Sequence, residues 1–187
     1  MAEEKKTPSA DKLKALQAAM DKISKLKEER LILVGPCFGG LMAYRAAQEF
    51  PNKVETLLAS SPLIDFEQGT LSQHIDAFLN AREERFKKRN ISAESLQKMH
   101  HFRQSVVLGA SKYGRVPVAS SYLGPVCILH GEKDRLVPIE NSRQIARKLN
   151  RPNVTVQEIP SAGHTFDMDQ DRRMKFTIAT LKRHLAR

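Results

Sequence analysis

A chain of 187 residues, 41% apolar and 28% charged, is long enough for one domain with a core of its own and too apolar to be disordered. No run approaches the roughly 20 apolar residues needed to span a bilayer; the longest, Leu31–Val34 and Val126–Leu129, are strand-sized. A net charge of +10 raises nucleic-acid binding, but the basic residues are spread among acids, there are three tyrosines and no tryptophan, and no nucleic-acid motif occurs. A solvated basic surface is expected, with an acidic partner or anionic substrate left open.

The opening Met1-Ala2-Glu3-Glu4-Lys5-Lys6 has no apolar signal core, so a cytoplasmic protein is expected. Leu13, Leu16, Met20, Ile23 and Leu26 recur every three or four residues, predicting an amphipathic helix over Ser9–Glu29. Leu31–Val34 is continuously apolar, the pattern of a strand covered on both faces. A tight turn follows at Gly35–Gly40, then a helix over Leu41–Phe50 ending at Pro51, and a strand over Val54–Ala59.

Residues 63–117 break this rhythm with two predicted helices, Thr70–Lys88 and Ala93–Leu108, which form an insertion between strands rather than a separate domain. Strand and helix then alternate again: strand Val126–His130, helix Ser142–Leu149, strand Val154–Ile159 and helix Arg172–Leu185. This grammar is that of an α/β fold with a mostly parallel sheet flanked by helices, in one domain spanning 1–187.

Two cysteines make no disulfide framework. Cys127 sits inside an apolar run, where a thiol behaves as a small hydrophobe. No CxxC, HxxxH or HExxH spacing occurs, and His100-His101 are adjacent, so neither a metal nor a cofactor is expected.

Gly35-Pro36-Cys37-Phe38-Gly39-Gly40 lies between a strand and a helix. A G-x-nucleophile-x-G turn puts one side chain at the apex of a strained bend, and the helix that follows favours a thiolate and a developing oxyanion at its N-terminus. Two later segments complete the set. Cys127–Pro138 runs from a strand into a Gly131-Glu132-Lys133-Asp134 loop, and Ile159–Phe166 ends a strand with Gly163-His164. Nucleophile, acid and base therefore occur in the order Cys, Asp, His, each at the carboxyl end of a predicted strand, where open α/β sheets build their sites.

From the helix before the turn to the C-terminus, the chain resembles the α/β-hydrolase superfamily. The resemblance implies Cys37 as nucleophile, Asp134 as acid, His164 as base, the backbone N–H of Phe38 as one oxyanion donor, and residues 63–117 as a cap or lid. Asp65, Asp167 and Asp169 are weaker acid candidates. His74, His100 and His101 are expected on a solvated face of the insertion, and His130 in a structural role. Cysteine in place of the commoner serine resembles the dienelactone hydrolases of that superfamily, and a thiolate is an intrinsically strong nucleophile.

Two features depart from the superfamily pattern. Pro36 fixes φ and removes an N–H beside the turn. The strands that usually precede the nucleophile strand, and the loop that gives a second oxyanion donor, have no counterpart before Leu31. An apolar strand with a bare edge invites pairing, so a homo-oligomer or a second chain beside Leu31–Val34 is expected. The features together imply an esterase-, thioesterase- or acyltransferase-like enzyme on a small acyl substrate; the alternative is a non-catalytic α/β-hydrolase-like subunit or scaffold of a larger assembly.

Overall fold

The structure is a computed structural model, and it describes residues 8–27, 30–65, 70–89, 91–113, 121–166, 168 and 170–185. In chain order the elements are α1 (Pro8–Lys25), β1 (Leu31–Pro36), α2 (Phe38–Glu49), β2 (Val54–Ser60), α3 (Thr70–Lys88), α4 (Ala93–Tyr113), β3 (Val126–Gly131), α5 (Ile139–Leu149), β4 (Val154–Ile159) and α6 (Gln170–Leu185). The strands form one parallel sheet in the order β1-β2-β3-β4. Parallel neighbours need crossovers, and α2, the α3–α4 pair and α5 supply them.

The register explains the burial. Leu33, Leu57, Val126 and Val154 align in one row across the sheet, and Val34, Leu58, Cys127 and Thr155 in the next, on the opposite face. The first face packs on Leu41, Tyr44 and Ala47 of α2 and on Ile145 and Leu149 of α5. On the second, Leu58, Cys127 and Leu129 pack with Phe166 and with Phe176 and Leu181 of α6. Burying each such side chain contributes roughly 1.5–3 kcal/mol. Cys127 is a core residue, as its apolar run implies.

The Leu31–Val34 strand departs from the expectation of cover on both faces. Ile32 and Val34 are 38% and 47% exposed. β1 lies at the sheet's edge, and the cluster that α6 packs on that face draws on β2, β3 and β4 but not on β1, so the β1 end of the row meets solvent. Helix boundaries also shift. α2 begins at Phe38 rather than Leu41 and takes in Gly39 and Gly40; α4 runs on to Tyr113; α5 and α6 begin at Ile139 and Gln170. α1 ends at Lys25, where the Lys53 ammonium donates to the carbonyls of Ile23, Ser24 and Leu26 at 3.2, 2.9 and 2.9 Å. A cation on the last carbonyls of a helix complements its dipole and fixes its end.

A third apolar cluster lies where the strands' carboxyl ends open into loops. Leu63, Leu71, Ile75, Leu79 and Val106 pack on Leu136 and Val137, with Cys37, Phe38 and Phe78 alongside. Arg103 of α4 fastens the two insertion helices, donating to Asp76 Oδ1 and Asn80 Oδ1 of α3 at 2.8 Å each. Among the described residues no helix is long and apolar enough to cross a membrane.

Candidate active site

The turn after β1 is built by steric necessity. A β-carbon on Gly35 would lie 2.2 Å from the Gly39 carbonyl oxygen, and one on Gly40 would lie 2.9 Å from Pro62 Cβ. Only glycine lets the helix start so close to the strand. Cys37, at the apex, has φ 52° and ψ −118°, a conformation that L-residues adopt at a cost of about 1–3 kcal/mol and keep only where neighbours hold them. Its N–H donates to Ser60 O at 2.7 Å, and its carbonyl accepts from Gly40 and Leu63 at 3.1 and 3.2 Å.

Pro36 fits this turn without loss. The N–H groups of Leu31 and Cys37 both donate across to the β2 side, to Lys53 O and Ser60 O. Alternation along the strand then points the Pro36 nitrogen at the open edge, where a missing N–H forfeits no ladder bond. Phe38 is the first residue of α2, so its N–H stands at the positive end of that helix.

The acid and histidine loops are laced together. A β-carbon on Gly131 would lie 2.4 Å from the carbonyl oxygens of both Ala162 and Gly163. Glu132 N–H donates to Ile159 O at 3.1 Å and Lys133 N–H to Ala162 O at 2.8 Å. Asp134 is buried and every lone pair is in use. Oδ1 accepts from the N–H groups of Leu136 and Val137 at 2.9 Å each, and Oδ2 from His164 Nδ1 at 2.7 Å. Since Nδ1 serves the carboxylate, Nε2 is left for the Cys37 sulfur, the other hydrogen-bond partner of this imidazole. The structure thus brings Cys37, Asp134 and His164 into one connected set.

Their electrostatics follow from that packing. Burial alone would raise the Asp134 pKa, but hydrogen bonds from His130 and His164 outweigh it and hold the carboxyl well below the usual range. Burial would likewise lower His164; the Asp134 hydrogen bond and the Cys37 sulfur, through a hydrogen bond and its charge, overcome this and push it up to about 9. At neutral pH His164 therefore favours the imidazolium form, held beside the Asp134 carboxylate.

His130 has a larger part than its sequence context suggested. Fully buried, its Nε2 lies 2.8 Å from Val137 O and 3.3 Å from Asp134 Oδ2. Both are acceptors, so Nε2 carries a hydrogen, and in the neutral ring Nδ1 accepts from Ser142 Oγ at 2.6 Å. A serine–histidine pair thus backs the acid from behind. The sequence signal was the strand-end His130-Gly131 four residues before Asp134; Ser142, inside a helix, gave none.

The remaining candidates stand elsewhere. Asp65 is buried and accepts from the N–H of Leu71 at 3.3 Å, bonding to the start of α3. His74 Nε2 donates to Arg135 O at 3.1 Å. His100 and His101 are exposed; Asp167 and Asp169 lie outside the described residues. Among the described residues no group of three or more His, Cys, Asp or Glu is placed to hold a metal ion.

The model of the Prolyl oligopeptidase family matches residues 1–185. The chain belongs to the prolyl oligopeptidase family. That family lies within the α/β-hydrolase superfamily, as the three segments implied, and makes the chain a hydrolase by descent. No curated protein matches it in sequence. Among solved structures, this family member is similar to a monoacylglycerol lipase of Paleococcus ferrophilus (19% identity, TM-score 0.59, covering 93% of this chain and 75% of that one). It is also similar to mouse alpha/beta hydrolase domain-containing protein 10 (20%, 0.60, 91% and 68%). A third is 2-hydroxy-6-oxo-6-phenylhexa-2,4-dienoate hydrolase of a Rhodococcus species (15%, 0.60, 94% and 72%). At these identities the likeness is one of fold.

Proposed function

We propose that the chain is an acyl hydrolase acting on ester, thioester or lactone bonds through a covalent intermediate on Cys37, with His164 as base and acid and Asp134 orienting it. The single observation that carries this reading is the connected set Asp134–His164–Cys37 at the strained turn before α2. The Cys37 thiolate attacks the carbonyl carbon, and the charge that develops on the oxygen is met by the Phe38 N–H at the helix terminus. As the carbon–oxygen or carbon–sulfur bond breaks, the His164 imidazolium gives its proton to the leaving group. His164 then takes a proton from water, the hydroxide attacks the thioester, and the proton returns to sulfur as the acid departs. The α3–α4 insertion, packed beside Cys37 and Phe38, is the cap over this step.

Incubation with a p-nitrophenyl ester followed by mass spectrometry should find the acyl group on Cys37. Equal hydrolysis rates for the wild type and Cys37→Ala would sink the proposal. The non-catalytic reading predicts neither adduct nor turnover.

A further inference from the structure

Outside the triad, a cavity of about 240 Å³ opens between α3 and the acid loop, lined by Phe78, Arg82, Arg85, Phe86, Arg89 and Arg135. It is smaller than the pockets of roughly 300–1,000 Å³ that take whole drug-sized ligands, and of a size for a head group. Four of its six lining residues are arginines. Residues 78, 82, 85 and 86 fall on one face of α3 by their spacing, and Arg89 follows the last residue of that helix. Arg135 arrives from the loop immediately after Asp134, and the His74 bond to its carbonyl pins that loop to the same helix.

Charge on α3 is sorted by face. Glu83 pairs with Arg103 and Lys87, and Glu84 with Lys87, so both acids of the Arg82-Glu83-Glu84-Arg85 run are engaged with other cations. Of the arginines elsewhere, Arg30, Arg103, Arg143 and Arg147 each hold a carboxylate, while Arg151 and Arg183 donate to carbonyl or hydroxyl oxygens. Among the described residues no carboxylate pairs with Arg82, Arg85, Arg89 or Arg135. Gathering like charges around one concavity is unfavourable in the empty protein and turns favourable when an anion enters. Guanidinium forks suit planar carboxylate and phosphate oxygens. Arg82 also stands 5.4 Å from the centre of the Phe86 ring, which holds it by a cation–π contact. Phe78, on the cavity wall, packs against the same apolar cluster as Cys37 and Phe38, which puts the cavity and the turn on one cluster.

We infer that this cavity is an anion-binding subsite, taking a phosphate or carboxylate group carried by the substrate while Cys37 attacks its acyl carbon. The inference rests on the hydrolase reading for the word substrate, and on geometry alone for the anion site. Two measurements separate them. Titration of the full chain with inorganic phosphate at low salt, followed calorimetrically, should show saturable binding that weakens as sodium chloride is added. It should weaken at least 10-fold in Arg82→Gln/Arg135→Gln and less in the Arg82→Lys/Arg135→Lys pair, with thermal melts confirming that both variants fold. The ratio of kcat/KM for the mono-4-nitrophenyl ester of succinic acid to that for 4-nitrophenyl butyrate should fall by a similar factor in the glutamine pair. Phosphate affinity or an ester ratio unmoved by the glutamine pair would overturn the subsite and leave the hydrolase reading standing. Arginine-dependent phosphate binding without ester turnover would sustain the anion site and sink the hydrolase reading.

Discussion

β1 and β3 each lead into a loop that presents a functional side chain, yet they are supported in opposite ways. β3 is buried along its whole length and paired on both sides, and the carboxylate beyond it has every acceptor position filled. β1 is paired on one side, alternates between half-buried and exposed positions as far as the buried Gly35, and leads into a residue with φ 52°. The acid–base half is held by satisfied bonds, whereas the nucleophile half is held by close packing around strain. Substitutions on the two sides should therefore fail differently.

The largest effect on activity belongs to the nucleophile side. Cys37→Gly is expected to abolish acyl transfer, by at least about 10⁴-fold in kcat, while raising the unfolding free energy by about 1 kcal/mol, because glycine accepts the positive φ. Ester assays and urea titrations on one preparation check both halves. On the other side activity and stability should fall together. Asp134→Ala leaves two buried N–H groups and two histidines without their acceptor, a loss of about 3–5 kcal/mol. A urea midpoint equal to that of the wild type would break the contrast between the two halves.

Ser142→Ala should cost about 1–3 kcal/mol, because it strips a buried partner from His130. It should also perturb the imidazole resonances of His130 before those of His164, which NMR can follow. The pH dependence has a defined sign. His164 titrates near 9 in the folded chain against an ordinary 6.5, so its contribution to stability is complete below 6.5 and lost as pH rises through 9. Urea midpoints should decline across that window in the wild type and not in His164→Gln. Activity that needs the imidazolium as leaving-group acid should fall at the same upper limit.

The smallest expected change in the isolated fold concerns the edge. We propose that a second copy pairs along β1. Val34→Lys should then shift sedimentation from dimer toward monomer while moving unfolding free energy by no more than about 0.5 kcal/mol. A wild-type chain sedimenting as a 21.1 kDa monomer would refute it.

Much of the fold was legible because its signals are local. Apolar runs bounded by glycine and proline marked each strand, and three loops in the right order marked the site. What escaped depends on neighbours the sequence does not display. The run Leu31–Val34 reads the same mid-sheet or at an edge, since composition records what a strand can bury and not what stands beside it. Gly39 and Gly40 hid the first turn of α2 behind poor helix propensity, although their missing side chains are what let that turn form. The arginines around the α3 cavity carry no local signal, because Arg135, which closes it, lies 46 positions beyond Arg89. His130 and Ser142 were invisible as a pair for the same reason.

The lacing of the acid and histidine loops has a consequence for modularity. Asp134 and His164 stand on the loops that follow two adjacent strands and meet across 30 residues of chain, whereas Cys37 is separated from both by the whole insertion. Closing the shorter loop costs less entropy, by about 1 kcal/mol for a fourfold difference in length. The segment β3–α5–β4, with the loop after it, thus carries the proposed acid and base as one transferable cassette. Lineages could exchange the strand that brings the nucleophile, or its reactive atom, without rebuilding the machinery that moves the proton.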